Sequence, residues 1–182
     1  MLCEHDPVIT LGRSARASNV LVSGAELARR GIAVEWISRG GDVTFHGPGQ
    51  LLGYPVVVLR GGVVGHMTAM ARALIAVLAP LGVAAVWRRD APGLWVGDAK
   101  ICAFGVNVQR RVAIHGFALN LAIDRADFAT IVPCGIAEAR ITSVAALIGA
   151  SPAPSAIAGQ VAIALGAELG TTFEPVDDGT CG

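Results

Sequence analysis

The chain has few cysteines, and they lie far apart. The four cysteines, at positions 3, 102, 134 and 181, form no CxxC pair, whereas small secreted proteins held together by disulfides are much denser in cysteine. The four histidines are equally scattered, so no metal-ligand spacing stands out and no metal site is predicted. We therefore expect reduced thiols, and we expect Cys102, inside an apolar run, to be a small core residue.

A surplus of charge and a long membrane-spanning run are also missing. The 14 basic residues balance the 14 acidic ones, which argues against nucleic-acid binding and suggests no strongly charged macromolecular partner. The uncharged stretch 141–167 is interrupted by Pro152 and Pro154, and each part is shorter than the ~20 apolar residues of a spanning helix. The start shows no basic-then-apolar signal pattern. We therefore expect a cytoplasmic protein without a membrane segment.

What is present is a series of short apolar strands with helical segments between and after them. A length of 182 residues suits one domain with a full core, so we predict a single domain over residues 1–182. The apolar runs at 93–96, 99–108 and 112–123 are separated by short polar turns, which predicts a meander of antiparallel strands. The fold class predicted is α+β, with a mixed or antiparallel sheet and flanking helices.

Three further expectations concern local structure. The segment VVVL at 56–59 is predicted to be a short buried strand, and TTF at 171–173 is a candidate edge strand. A helix is predicted from about residue 63 to residue 81, because apolar residues recur at three- and four-residue spacing. Its buried stripe is predicted to contain Val64, Met67, Ala71, Leu74, Ile75 and Leu78.

The most concentrated polar signal is the glycine-rich segment RGGDVTFHGPGQ at residues 39–50. It sets five hydrogen-bonding side chains among four glycines and a proline. Glycines allow a backbone to approach a ligand closely, but the segment lacks the GK[ST] of a P-loop and the GxGxxG of a dinucleotide turn. By itself, a structural hairpin loop is nearly as good an interpretation as a binding loop.

Lys100 and Cys134 are the candidates for covalent chemistry. Lys100 opens a strongly apolar strand, and such a lysine usually extends to solvent, although a desolvated amine could instead take up and release protons. Cys134 lies between Pro133 and Gly135, on a shaped turn. A nearby ammonium favours the thiolate form of a cysteine, so the two residues together would supply a nucleophile and a proton carrier. Only the fold could bring them together.

Five ordered blocks resemble those of a known family. The blocks LGRSA, RGGDVTFHGPGQLLGYP, GLWVGDAKICAFGV, HGFALNL and IVPCGI…ITS are together similar to the lipoyl(octanoyl) transferases, over about residues 2–148. The resemblance implies the fold of the biotin- and lipoate-protein ligase catalytic domains. The chain departs from the family at its start, where relatives carry another strand–helix unit, and we expect this unit to be missing here.

The activity that the resemblance implies is acyl transfer without a cofactor. Such enzymes move an octanoyl group from octanoyl-acyl carrier protein to a lysine of lipoyl domains, in lipoate assembly. The acceptors are the acyltransferase subunits of 2-oxoacid dehydrogenases and the glycine-cleavage H protein, and a monomer is expected. By resemblance, Cys134 carries the acyl group as a thioester and Lys100 activates it. The matching substrate-binding residues are Arg39, Gly40, Gly41, Asp42, Val43, Thr44, Phe45, His46, Ala103, Phe104, Gly105, Gly116, Phe117 and Ala118.

Two alternatives of different kinds stay open. An ATP-dependent lipoate- or biotin-protein ligase of the same fold would activate a free acid as an adenylate and would need no cysteine nucleophile, so the PCG turn counts against it. A non-catalytic acyl-binding or carrier-docking relative would bind the acyl group without modification of Cys134. A merely structural Cys134 in an unrelated α+β domain is the least favoured interpretation.

Overall fold

The computed structural model describes residues 1–132 and 140–173, which form two β-sheets with flanking helices. In chain order the strands are β1 (Leu2–Cys3), β2 (Val8–Leu11), β3 (Ala33–Trp36), β4 (Val43–His46), β5 (Gln50–Gly53), β6 (Val57–Val58), β7 (Val86–Arg88), β8 (Gly93–Val96), β9 (Ala99–Gln109), β10 (Val112–Asn120) and β11 (Arg140–Ile141). The helices are α1 (Gly24–Arg29), α2 (Gly62–Leu78), α3 (Arg125–Phe128), α4 (Val144–Ile148) and α5 (Pro154–Leu169).

The larger sheet is built around the long β9–β10 hairpin. Its described strands follow the order β1-β5-β10-β9-β8-β7, with β6 beside β10 and β11 beside β9. Strands β7, β8, β9 and β10 are successive antiparallel neighbours, which confirms the predicted meander. Strand β11 is parallel to β9. The sheet is therefore mixed but mainly antiparallel, and the predicted α+β class is confirmed.

The smaller sheet lies beside it and has β2 at its centre, parallel to β3 and antiparallel to β4. Since β4 belongs to the smaller sheet and β5 to the larger one, the turn at residues 47–49 carries the chain from one sheet to the other. At Gly49 φ is +80°, and a Cβ there would lie 2.2 Å from the Ala122 carbonyl oxygen. Only glycine fits this junction. The segment 39–50 is thus two strands and a crossing point rather than one loop.

The helix ends follow the local sequence. The Ser23 hydroxyl accepts a hydrogen bond from the Glu26 N–H at 3.2 Å and caps α1, and Gly31 beyond its end has a φ of +67°. Helix α2 continues into a 3₁₀ turn that ends at Gly82, where φ is +81°. Both glycines adopt the left-handed conformation that ends helices.

Two hydrophobic clusters hold the sheets. The larger cluster packs α2 and α5 against the larger sheet, and Met70, Leu74 and Leu78 are fully buried in it. The smaller cluster includes Ile9 and Phe45 and lies under the smaller sheet. By length and composition alone, the helical segment Gly62–Leu81 could cross a membrane, but most of its buried side chains belong to the larger cluster. Such packing is typical of the core helix of a globular domain.

Three local predictions are wrong. The segment 56–59, which contains β6, is not buried, since Val56 and Val58 are 60% and 59% exposed and β10 is the only described neighbour of β6. Residues 171–173 form no strand, because the Thr171 N–H bonds to the Gly166 carbonyl and closes the end of α5. In α2, Val64 is 38% exposed, because the first turn of the helix lies beyond the core. The prediction of a buried Cys102 is confirmed.

Candidate active site

A cavity of about 1010 Å³ lies between the two sheets. Segments 39–46, 100–105 and 116–118, which are distant in sequence, meet on its surface. Apart from Phe45, every described residue that the sequence predicts for the site lines it, namely Arg39, Gly40, Gly41, Asp42, Val43, Thr44, His46, Lys100, Ala103, Phe104, Gly105, Gly116, Phe117 and Ala118.

Phe45 lies away from the cavity. Successive side chains of a strand point to opposite faces, so Thr44 and His46 face the cavity while Phe45 faces the smaller cluster. Its ring packs edge-on against that of Phe128, with 5.3 Å between the centroids. This position supports a packing role for Phe45.

Lys100 is at the cavity, yet only 3% of its surface is exposed. The pairing of β8 with β9 shifts register between Leu94 and Trp95, which leaves Ile101 as an extra residue in β9. This β-bulge turns Lys100 onto the same face of the strand as Ala103. The bulge thereby directs an amine toward the cavity from a strand that otherwise reaches into the core.

The side chain of Lys100 is held by its neighbours. Its Nζ lies 4.9 Å from the centroid of the Trp95 ring, at cation–π distance, and the Trp95 indole N–H donates to the Ala91 carbonyl at 2.9 Å. Gly93 makes room, because a Cβ there would lie 3.2 Å from Lys100 Cε. Lys100 is also the only lysine of the chain. An amine can act as a proton carrier where a guanidinium cannot, and this compositional signal was missed.

Small residues form the floor of the cavity, which we define as Ala103, Gly105, Gly116 and Ala118. Across the β9–β10 hairpin, Ala103 pairs with Ala118 and Gly105 pairs with Gly116. A Cβ at Gly105 would lie 3.0 Å from Arg39 Cδ. Gly105 therefore lets the Arg39 side chain lie against the floor, where it forms a polar part of the wall.

Arg39 is held in place by Thr10 of β2. Its Nη2 donates to the Thr10 carbonyl at 2.5 Å and to the Thr10 hydroxyl at 2.9 Å, and its Nε donates to the same hydroxyl at 3.2 Å. Its Nη1 donates to the Gly40 carbonyl at 3.1 Å. Because a guanidinium stays protonated in proteins, these contacts fix a permanent positive charge in the wall.

A series of hydrogen bonds runs from Thr10 to the larger sheet, and we call its five residues the polar chain. His46 contacts the Thr10 hydroxyl through Nε2 at 3.2 Å and the Gln50 Oε1 through Nδ1 at 2.7 Å. Gln50 donates to Asn120 Oδ1 at 2.8 Å, and Asn120 donates to the Thr142 carbonyl at 3.0 Å. The polar chain links the two sheets at the cavity wall, where Thr10 and His46 line the cavity.

The hydrogen-bond directions indicate a neutral His46. Gln50 uses its amide group to donate to Asn120, so its oxygen accepts a proton from His46 Nδ1. The Thr10 hydroxyl accepts from Arg39 and is free to donate its own proton to Nε2. Burial lowers the pKa of His46 to about 4, with the hydrogen bond to Gln50 opposing this change and the charge of Arg39 assisting it. At neutral pH His46 therefore acts as a structural link.

Asp42 connects the glycine-rich segment to the loop after β2. Its carboxylate accepts from the Val43 N–H at 2.8 Å, the Arg16 N–H at 3.2 Å and the Asn19 side-chain amide at 2.6 Å. The Asn19 carbonyl in turn accepts from the Val132 N–H at 2.8 Å. Asp42 thus accepts three hydrogen bonds and, through Asn19, fixes the position of the chain as far as Val132.

Cys134 lies in residues 133–139, outside the described residues, but both flanks of this segment are anchored beside the cavity. Before it, Val132 is tied to the loop that Asp42 holds. After it, Ile141 of β11 pairs with Lys100 of β9. The described residues on both sides of this segment are thus tied, directly or through Asn19, to residues that line the cavity.

Further polar residues at the cavity were missed from the sequence. His5 Nε2 and the Tyr54 hydroxyl lie 2.6 Å apart, and burial raises the pKa of Tyr54 to about 12. His115 bonds to the Ser38 hydroxyl at 3.0 Å and has a φ of +62°, a conformation that costs roughly 1–3 kcal/mol. Tyr54 and His115 belong to the five sequence blocks that resemble the family, and Ser38 directly precedes one of them. No local spacing indicates that these residues and His5 meet in one cavity.

Comparison with known proteins gives a consistent picture. Residues 1–165 match the family model described as the lipoyl protein ligase A/B catalytic domain. A protein of Acidobacterium capsulatum named octanoyltransferase is 42% identical over 160 residues, covering 79% of this chain and 65% of that protein. Octanoyltransferases of Myxococcus xanthus and Chloroflexus aurantiacus are each 44% identical, covering 82% and 95% of this chain, and 44% and 78% of their own lengths. The chain thus spans less than two thirds of the first two relatives.

Solved structures share the fold at low identity. Lipoate-protein ligase A bound with ATP superposes with a TM-score of 0.80 at 15% identity, covering 97% of this chain and 75% of that one. Biotin protein ligase from Aquifex aeolicus in complex with biotin and ATP gives a TM-score of 0.57 at 11% identity, covering 90% of this chain and 70% of the other. The predicted resemblance in fold to ligase catalytic domains is confirmed.

Proposed function

Because the chain belongs to the lipoyl protein ligase A/B catalytic domain family, we propose that it is an octanoyltransferase acting through a cysteine thioester. Relatives named octanoyltransferase, at 39% to 46% identity, support this activity within the family. In this proposal residues 1–182 form one catalytic domain, monomeric and cytoplasmic. It takes octanoyl groups from octanoyl-acyl carrier protein. It delivers them to lipoyl domains of 2-oxoacid dehydrogenases and to the glycine-cleavage H protein.

The observation that carries the proposal is the position of Lys100. This buried amine lies at the cavity and pairs through its backbone with β11, the strand that follows the segment containing Cys134. An ammonium group in a site with little water interacts strongly with a nearby thiolate. We therefore assign the nucleophile to Cys134 and its activation to Lys100.

The transfer then takes two balanced steps. The Cys134 thiolate attacks the donor thioester, the bond from the acyl carbon to the carrier sulfur breaks, and the departing thiolate takes a proton from the Lys100 ammonium. In the second step the neutral amine of the acceptor lysine attacks the Cys134 thioester. An amide bond forms, Cys134 leaves as a thiolate, and Lys100 takes the proton from the amine. Thioester exchange is nearly even in energy and amide formation is downhill, so no ATP is needed.

The cavity suits a medium-length acyl chain. Its volume of about 1010 Å³ matches the upper end of the roughly 300–1,000 Å³ found for small-molecule sites. Apolar residues line it, among them Leu52, which pairs with Ala118 on the same face of the sheet. The floor of alanines and glycines leaves width for an unbranched chain.

Intact-mass spectrometry after mixing with octanoyl-acyl carrier protein, without ATP, tests the proposal. We expect an octanoyl adduct that hydroxylamine removes, and none on Cys134→Ser. With Lys100→Ala the adduct should form about 10²–10⁴ times more slowly, the usual contribution of a positioned acid–base group. Cys102→Ser is the matched control, because Cys102 is a fully buried thiol on the same strand as Lys100, and it should keep the adduct.

The contrary outcomes are distinct. A folded parent without any adduct would rule out the transferase and favour a binding module. Modification of the lipoyl domain from free octanoate only when ATP is present would favour a ligase. An adduct that persists on Cys134→Ser would show that the nucleophile is assigned wrongly.

A further inference from the structure

The charges of the chain balance in number but not in position. No acidic residue occurs between Asp42 and Asp90, or between Asp98 and Asp124. These two stretches contain β5, β6, α2 and all of the β9–β10 hairpin. This part of the larger sheet therefore carries only basic charge, which the overall total conceals.

Three arginines of these stretches lie together at one end of the larger sheet. Arg110 and Arg111 form the tip of the β9–β10 hairpin, and the Leu59 N–H donates to the Arg111 carbonyl at 2.7 Å, which brings Arg60 beside the tip. All three arginines are exposed. No ion pair joins them to a carboxylate of residues 1–132 or 140–173.

The backbone at the hairpin tip is unfavourable for arginine. The φ angles of Arg110 and Arg111 are +49° and +69°. A two-residue hairpin turn with positive φ at both positions strongly prefers Asn-Gly, since other side chains are strained there. Residues held in strained backbone conformations often cluster at functional sites. The turn itself therefore does not account for the two arginines, whereas contact with a binding partner would.

Exposed apolar residues complete this surface. Val56, just before β6, and Val58 on β6 adjoin the arginines, and we define the basic patch as Val56, Val58, Arg60, Arg110 and Arg111. The chain then runs from Arg60 to Val63, which is 39% exposed and lines the cavity. The basic patch thus extends from the hairpin tip toward the mouth of the cavity. Apolar contacts with charged surroundings are usual in protein–protein interfaces.

We propose that the basic patch docks an acidic surface of the carrier protein that brings the acyl group, an inference that rests on the proposed function. The hairpin tip lies about four residues from His115, which lines the cavity, or roughly 13 Å at the rise of a strand. A carrier protein holds its acyl group on a long, flexible prosthetic arm that spans this distance. A lysine side chain is short, so the acceptor domain must sit on the cavity mouth itself.

The test replaces the strained arginines by the preferred turn sequence, in the double variant Arg110→Asn with Arg111→Gly. This variant should be at least as stable as the parent to denaturant, because the strain is relieved. Octanoyl adduct formation on Cys134 is measured with octanoyl-acyl carrier protein and with octanoyl-pantetheine, which has the thioester but no protein surface. We expect kcat/KM for the carrier protein to fall roughly tenfold and to become less sensitive to salt. The rate with octanoyl-pantetheine should not change.

The control is Arg29→Gln with Arg30→Gln, which removes the same charge from the C-terminal end of α1, and it should behave as the parent in octanoyl transfer. Binding of octanoyl-acyl carrier protein to the Cys134→Ser chain, with and without the patch substitutions, is measured separately. If the patch substitutions leave this binding unchanged, the docking proposal is overturned, whether or not the parent forms an adduct. A parent that forms no adduct counts against the proposed function but not against docking. Equal losses with both donors, a change in the acceptor KM alone, or altered self-association of the patch variant would also overturn it.

Discussion

His46 Nδ1 and Gln50 Oε1 lie 2.7 Å apart across the junction of the two sheets. His46 ends a strand of the smaller sheet and Gln50 begins a strand of the larger one, with only residues 47–49 between them. Their side chains continue to Thr10 in one direction and to Asn120 in the other. The two walls of the cavity are therefore joined by the polar chain as well as by the backbone.

Acid should destabilise the protein through His46. In the unfolded chain the imidazole takes up a proton near its ordinary pKa of 6.5, whereas in the folded protein it does so only near 4. Between these values the unfolded state binds more protons, so the free energy of unfolding falls as the pH falls. The stabilisation that neutral His46 gives is complete above pH 6.5. It is lost between this pH and about pH 4, and the full loss is on the order of 3 kcal/mol.

Urea unfolding from about pH 7.5 to about pH 4.5 measures this effect. In the variant His46→Asn the side chain can donate to Gln50 but cannot titrate. Its free energy of unfolding should fall less steeply with acid than that of the parent. The other histidines are present in both proteins, so their contributions cancel. Parallel slopes would contradict the assignment of a buried, neutral His46.

The substitution Asn120→Ala should be strongly destabilising. It leaves the Gln50 amide and the Thr142 carbonyl without their partners, and an unsatisfied buried group costs about 1–3 kcal/mol. We expect a loss of about 3 kcal/mol, measured by denaturant titration. Asn107→Ala is the control on the same hairpin, because among the described residues the Asn107 side chain accepts only from the adjacent Val108 N–H. It should cost less than about 1 kcal/mol, and similar losses for both variants would contradict the prediction.

Gly93→Ala should impair Lys100. The new Cβ would lie 2.5 Å from the Cys102 carbonyl oxygen and 3.2 Å from Lys100 Cε, so the strand or the lysine must move. Small displacements of reacting groups can cost up to ~10²-fold in rate, and we expect Cys134 octanoylation to slow at least tenfold. In α5, Gly159→Ala meets no atom within 4 Å and should add about 0.5–1 kcal/mol of stability. An unchanged rate for Gly93→Ala would show that Lys100 tolerates the contact.

Ala118→Leu should change the preference for acyl length. Ala118 pairs with Ala103 in the floor of the cavity and is 5% exposed, so a larger side chain there occupies space that an acyl chain would use. We expect the ratio of octanoyl to butanoyl transfer to fall roughly tenfold, a change of the size that one methylene group in a pocket causes in substrate specificity. Competition between the two donors measures this ratio directly. A ratio equal to that of the parent would place the acyl chain elsewhere.

Much of the fold could be predicted from local patterns. The β7–β10 meander follows from apolar runs separated by short polar turns, and the helix ends follow from Ser23, Gly31 and Gly82. The division into two sheets could not be predicted, because β4 and β5 are separated by only three residues and find their partners in β2 and β10. Local spacing carries no information about such distant pairings.

The site was predictable only in part. Motif resemblance indicated which segments line the cavity, and the structure brings all of the described ones together except Phe45. The roles of Lys100 and Cys134 remain predictions. The polar chain was missed because Thr10, His46 and Asn120 lie on three separate strands. The basic patch was missed because a balanced total of charge conceals where the charges lie.

The presence of a single lysine has a consequence for self-acylation. Apart from the four histidines, every other basic side chain of these 182 residues is an arginine, and a guanidinium keeps its proton and is no nucleophile at neutral pH. An enzyme that acylates lysines would otherwise expose its own surface amines to its reactive thioester. With arginines, the basic patch can attract a carrier protein without becoming an acceptor. The one lysine side chain that could be acylated is Lys100, the residue to which we assign the proton transfers.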